Sequence, residues 1–174
     1  MQTSFSGTCK WTKRTGFPGS IPSGTLTTSS AFYARTLSGM QPGCSLASMR
    51  QLSAMQGREQ FGRPLAGFQL VQEKLVRMLG NLTASLAMAV RLTQISEDSS
   101  SSDEQAALAK TWVCTRMRET AALGRELLGG NGILLDHKVA RFHADAESLY
   151  TFEGTHEINS LIVGRAITRL GAFT

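Results

Sequence analysis

From about residue 45 onward the apolar residues return every third or fourth position and nowhere alternate. That spacing limits the chain to helices. Between residues 68 and 95 the stripe is Val71, Leu75, Met78, Leu82, Leu86, Ala89 and Leu92, which places seven apolar side chains on one helical face. A second stripe follows: Ala106, Ala109, Val113, Met117, Ala121, Gly124 and Leu128. Its small residues predict close helix approach. Ser102 followed by Gln105 reads as a capping box opening that helix. Gly129-Gly130-Asn131-Gly132 supplies its stop. A first short helix through Met49, Leu52 and Met55 is expected to end at Gly57. A shorter one covers residues 137–149, and a last one residues 156–170. Pro64 disfavours helix at Arg63 and marks a turn. The expectation is an all-α protein, an up-and-down four-helix bundle over residues 46–174.

Residues 1–45 have a different grammar. They are rich in Ser, Thr and Gly, hold Pro18, Pro22 and Pro42, and lack an apolar period. They read as an irregular leader. A transit peptide, a flexible tail and a start that does not coincide with the natural domain all fit. The net charge of +5 belongs to this part of the chain. No acid precedes Glu59, so residues 1–58 carry +6 and the remainder −1. A nucleic-acid partner would have to use that basic segment, which has no recognisable binding motif, and none is expected. No uninterrupted apolar run reaches the ~20 residues of a membrane span. Cys9, Cys44 and Cys114 are odd in number and widely spaced, with neither a disulfide framework nor metal spacing. His137, His143 and His156 lack a helical pairing suited to metal, so no metal site is expected.

Three clusters could carry chemistry. Arg58-Glu59-Gln60-Phe61-Gly62 offers donors for phosphate oxygens and a ring that could cover an aromatic. It reads equally as a helix end with a cationic last turn. Gly129-Gly130-Asn131-Gly132 is not a dinucleotide fingerprint, because Leu135 stands where the last glycine is needed. It is either a plain helix stop or a bare backbone surface for a ligand or another chain. Phe152-Glu153-Gly154-Thr155-His156-Glu157 sets a carboxylate at the mouth of a helix. Desolvation by Phe152 and an apolar ligand would raise Glu153 toward a useful base. The plain alternative is a turn capped by Thr155.

In this order and spacing the clusters resemble the C-terminal helical domain of the acyl-CoA dehydrogenase family. The resemblance runs from about residue 46 to 173. It rests on Arg58-Glu59-Gln60-Phe61-Gly62-Arg63-Pro64-Leu65 with Phe68-Gln69, then on Arg125-Glu126-Leu127-Leu128-Gly129-Gly130-Asn131-Gly132-Ile133. Tyr150-Thr151-Phe152-Glu153-Gly154-Thr155-His156-Glu157-Ile158 follows, and Gly164-Arg165-Ala166 closes it. Glu153-Gly154-Thr155-His156 and the ending from Gly164 look like glutaryl-CoA dehydrogenases. Met78-Leu79-Gly80-Asn81 and the stretch from Arg118 to Ala121 look like related short-chain acyl-CoA oxidases.

The resemblance implies FAD-dependent α,β-dehydrogenation of a short-chain or glutaryl acyl-CoA thioester to the 2-enoyl-CoA. Glu153 then matches the base and Gly154 a substrate contact. Arg58, Gln60, Phe61 and Gln69 match contacts to an FAD held mainly by a neighbouring subunit. Glu126, Leu127, Leu128, Gly129 and Gly130 match backbone lying against that FAD, and Thr155, Glu157 and Phe173 match further cofactor contacts. It also implies a homo-oligomer through the bundle, with electron-transfer flavoprotein as partner of a dehydrogenase and oxygen of an oxidase. Phe152 replaces the family's usual Tyr, and Ala54 an aromatic. The family's N-terminal helical and middle β domains have no counterpart in residues 1–45. The chain is therefore expected to represent the C-terminal part of such an enzyme. A non-catalytic helical assembly module is the alternative.

Overall fold

The computed structural model describes residues 56–97 and 102–171. The expected leader, most of the first short helix, Ala54, Cys9, Cys44 and Phe173 lie outside them. Four long helices follow in order: α1 (Gln69–Glu97), α2 (Asp103–Leu127), α3 (Val139–Thr151) and α4 (His156–Thr168). Gln56 and Gly57 are helical, at the point where the first expected helix ends. A two-residue antiparallel ladder, β1 (Glu59–Gln60) with β2 (Arg63–Pro64), precedes α1. Phe61 and Gly62 form its turn, both at positive φ, 55° and 79°. Two successive positive φ values match the twist of paired strands.

The second helix is the axis of the fold. Ser102 Oγ accepts from Gln105 N, and Gln105 Oε1 accepts from Ser102 N, so two of the first turn's spare donors are satisfied. Asp103 and Glu104 complement the positive end, and Arg125 the negative end. Every residue of the expected stripe from Ala106 to Leu128 is buried, and so are Ala107, Lys110, Cys114, Thr120 and Leu123. A helix buried this broadly must be covered on several sides.

α1 covers it antiparallel. Arg77 meets Glu119 at 2.5 Å, Asn81 donates to Thr120 at 3.3 Å, and Leu92 packs with Ala106, Ala109 and Val113. Lys74 pairs with Glu126. α3 and α4 also run antiparallel to α2, one after the other. The α3 residues Ala146 and Leu149 join Met117 and Ala121 in one cluster. The α4 residues Ile162, Arg165 and Ala166 face Asp103 and Glu104 across a cavity of about 480 Å³. The resulting architecture is all-α and up-and-down, with the rod after α2 broken at residues 152–155.

Three expectations are corrected. Leu86 is exposed and Ser85 is buried in its place, because the buried face steps strictly by four and three from Met78 through Leu82, Ser85 and Ala89 to Leu92, and Ser85 rather than Leu86 falls on it. The third helix starts at Val139 rather than His137, since residues 135–137 form a 3-10 turn and Lys138 is left-handed at φ 59°. α1 is long and apolar enough to cross a membrane by length and composition, which the count of uninterrupted apolar residues misses. Its buried face packs on α2, and its charges pair with that helix.

Candidate functional site

The first two clusters come together at the C-terminal end of α2. Arg58 Nη1 donates to the carbonyl of Leu128 at 3.3 Å, bridging 70 positions of sequence. Beneath that contact Leu65 and Leu127 pack on buried Leu128 and Val139. Gly129 turns the chain out of the helix at φ 59°, and a 3-10 turn spans Gly129–Ile133. Gly129 and Gly130 are exposed, and a Cβ added to either would meet nothing within 4 Å. The backbone is therefore bare on that side. Gly132 is opposite in character: it is buried against Arg125.

Phe61 stands 91% exposed at positive φ, with its ring edge-on to Phe68 at 6.2 Å. A left-handed conformation costs a non-glycine residue about 1–2 kcal/mol. The hairpin turn sets that conformation and leaves the ring in water. Arg63 covers the other ring, 4.0 Å from the centroid of Phe68. Gln60 is exposed and donates to Glu59 O at 2.8 Å. Gln69 is the exposed first residue of α1. The carboxylate of Glu126 is occupied: the hydrogen bond and charge of Lys74 hold it below the usual carboxylate range.

The third cluster is elsewhere. Residues 152–155 break the rod between α3 and α4, against Lys110 of α2. Lys110 and Leu128 are 18 positions apart along one helix and its cap, about 27 Å at 1.5 Å per residue. The candidate residues thus form two groups on one chain, not one pocket. Glu153 sits at φ 58° and Gly154 at φ 88°. Successive left-handed residues let the chain reverse out of α3 and enter α4 without a long loop. Thr155 caps α4, its Oγ1 accepting from Ile158 N at 3.4 Å. The Glu157 carboxyl is held low by its own backbone N–H and by Thr155. His156 stacks on Tyr150 at 4.9 Å, a contact that spans the break.

One expectation does not hold within this chain. Glu153 and Phe152 are both exposed, so the described residues do not themselves supply a desolvating wall around the carboxylate.

Two residues that motif reading passed over hold this junction. Lys110 is 5% exposed, and its Nζ donates to the carbonyls of Phe152, Glu153 and Gly154, the middle one at 2.9 Å. Asn159, 2% exposed, donates from Nδ2 to the carbonyls of Gly154 and Thr155, each at 2.9 Å. Burial lowers the Lys110 ammonium from its ordinary value, opposed by Cys114 and Glu153. The signal was present in the sequence: Lys110 interrupts the stripe of Ala106, Ala109 and Val113. Among the described residues no three His, Cys, Asp or Glu side chains gather as metal ligands.

Comparisons with known proteins bear on the fold and the family. Residues 32–168 match the family model described as acyl-CoA dehydrogenase, C-terminal domain. The chain is 30% identical over 110 residues to mitochondrial isovaleryl-CoA dehydrogenase of Oryza sativa subsp. japonica, covering 63% of this chain and 27% of that protein. Its fold superposes on glutaryl-CoA dehydrogenase of Mycobacterium smegmatis with a TM-score of 0.81 and 32% identity, covering 86% of this chain and 38% of that one. A second structure of a glutaryl-CoA dehydrogenase from that organism is in complex with FADH2 and matches equally well. Butyryl-CoA dehydrogenase of Megasphaera elsdenii shares the fold at a TM-score of 0.77 and 23% identity. The chain spans about a quarter to two fifths of the length of these relatives. It belongs to the acyl-CoA dehydrogenase family, whose C-terminal helical domain it carries.

Proposed function

We propose that this chain serves FAD-dependent α,β-dehydrogenation of a short-chain or glutaryl acyl-CoA, with Glu153 as the base and residues 46–174 as the family's C-terminal domain. The observation that carries the reading is the placement of Glu153 on a strained, clamped junction, at φ 58° and fixed from behind by Lys110 and Asn159. A backbone fixed in this way presents the Glu153 side chain from a set position to a substrate's α-proton. Gly154 leaves the adjoining backbone open to the thioester. The N–H of Glu153 would polarise the substrate carbonyl as charge develops there.

The other end of α2 fits a flavin nucleotide. The bare strip at Gly129 and Gly130 accepts close approach of a flat or phosphate-bearing group, the segment from Glu126 to Leu128 leads into it, and Arg58, Gln60, Phe61 and Gln69 rim it. Bound FAD supplies the acceptor for the hydride that leaves the β-carbon. Because about 27 Å of helix separates this strip from Glu153, each group would complete a site with a second copy of the chain. Thr155 and Glu157 would touch the cofactor on the Glu153 side, and Phe173 is proposed as a further cofactor contact. Electron-transfer flavoprotein would reoxidise a dehydrogenase, and oxygen an oxidase.

The test is spectroscopic. The purified chain is mixed with FAD and its visible spectrum recorded before and after butyryl-CoA or glutaryl-CoA. Bleaching by either, lost in Glu153→Gln, is the expected result. Flavin that binds and bleaches equally in Glu153→Gln refutes the assignment of the base. A second reading, a non-catalytic assembly module, draws support from the apolar side chains that α1 and α4 leave exposed, among them Leu70, Val76, Val90 and Ile167. It predicts self-association without flavin binding.

A further inference from the structure

Lys110 is a buried cation on the most buried helix of the fold, and the reading above uses it only as a clamp on the backbone. Its three ammonium hydrogens match three acceptors, the carbonyls of Phe152, Glu153 and Gly154. These lie where α3 ends, so the ammonium also faces the negative pole of that helix. Asn159 secures the next two carbonyls, those of Gly154 and Thr155. The carbonyl oxygens of four successive peptide units are thereby gripped.

That grip has a directional consequence. The described backbone contains no cis peptide bond, and in a trans peptide the N–H points opposite to the C=O of the same unit. Lys110 draws the oxygen of Phe152 toward α2, so the N–H of Glu153 is turned outward. The same holds for the N–H groups of Gly154 and Thr155. A carbonyl polarised by a cation also makes its own N–H a stronger donor. We propose that Lys110 is the positioning residue of the reaction centre: it aims the N–H of Glu153, and with it the Glu153 side chain, at the face where a thioester carbonyl would lie.

The proposal rests on Glu153 being the base, and its test separates the two claims. The ionisable groups set against Lys110 are Cys114 on its own helix and Glu153 on the junction. Carbon-detected NMR of the labelled chain follows the carbonyls of residues 152–154 together with Lys110 Cε. In the unaltered protein all three carbonyls should titrate with the midpoint of Lys110, while carbonyls in the middle of α1 stay still. Carbonyls indifferent to that midpoint overturn the proposal without any variant. In Lys110→Met the same three signals should move. Turnover of the FAD-loaded chain should then fall in kcat by up to about 100-fold with KM within a few-fold, as for a small misplacement of reacting groups. Carbonyls that move with kcat unchanged make Lys110 a structural bond only, and overturn the positioning role. Glu153→Gln reports on the base alone: it should abolish turnover and leave the carbonyls of Phe152 and Gly154 tied to Lys110. Retained turnover there removes the base assignment while the NMR result stands by itself.

Discussion

Gly132→Ala gives the sharpest test of how the glycine turn is built onto α2. A Cβ at residue 132 would lie 2.1 Å from the carbonyl oxygen of Arg125, 2.9 Å from its carbonyl carbon and 3.1 Å from its Cα. Ordinary carbon–oxygen contacts begin near ~3.3 Å, so about 1 Å of relief is required. All three atoms are backbone in the last turn of a buried helix, and no rotamer change can supply it. Inserting one carbon into a packed interior costs about 1–3 kcal/mol, and a clash this deep belongs at the upper end. For a chain of this size each kcal/mol moves Tm by about 2–4 °C, so the expected loss is about 6–12 °C. The neighbours act as controls. Gly130→Ala meets nothing within 4 Å and should stay within about 0.5 kcal/mol of the parent. Gly129→Ala forces a side chain onto φ 59° and should cost about 1–2 kcal/mol. Thermal melts at 222 nm, supported by urea unfolding, rank the three. A Gly132→Ala protein as stable as Gly130→Ala would refute the close packing of the turn on Arg125.

Two further predictions concern α2. Burial pushes the Glu119 carboxyl up, but hydrogen bonds from Arg77 and Asn81 and the charges of Arg116 and Arg77 outweigh it and hold the group below its ordinary 4.5. A depressed carboxylate stabilises the fold above its unfolded value and loses that contribution as pH falls through its folded value. The bridge is partly exposed, so about 0.5–1 kcal/mol is expected. Glu119→Gln should melt about 1–4 °C below the parent at neutral pH, and the gap should narrow as pH falls below 4.5 toward the depressed folded value; a gap that stays constant through that acid titration contradicts it. Ser102→Ala removes the hydroxyl that accepts from Gln105 N and leaves the backbone N–H of residue 102 bonded to Gln105 Oε1; it should cost about 0.5–2 kcal/mol, with faster amide exchange at Gln105, and unchanged exchange there counts against the cap.

The legible part of this protein is the part governed by local rules. The Ser102 cap, the stripe of α2 and the Gly129 exit are each written within a few residues, because helix period and end chemistry act over one or two turns. The stripe of α1 is less faithful at one position: apolar Leu86 was expected on the buried face, but the helix period puts polar Ser85 there, with Ala89 and Leu92 buried as expected. The three site clusters were recognisable as segments, since their spacing is a property of the chain. Their fates in space were not. Arg58 meeting Leu128 across 70 positions depends on how the ladder before α1 folds back on the end of α2. Glu153 was expected to be desolvated by Phe152 and an apolar ligand; Phe152 is itself exposed and does not cover it.

What the sequence by itself determined is therefore the helical class, the ends of α2 and the identity of the three clusters. Only the tertiary structure decided that two of them share one end of the bundle while the third lies about 27 Å away along α2. It alone turned Lys110, an interruption in an apolar stripe, into the clamp of the Glu153 junction. The reason is physical: a buried ammonium is tolerable only where carbonyls converge on it, and that convergence exists only after α3 and α4 have docked on α2.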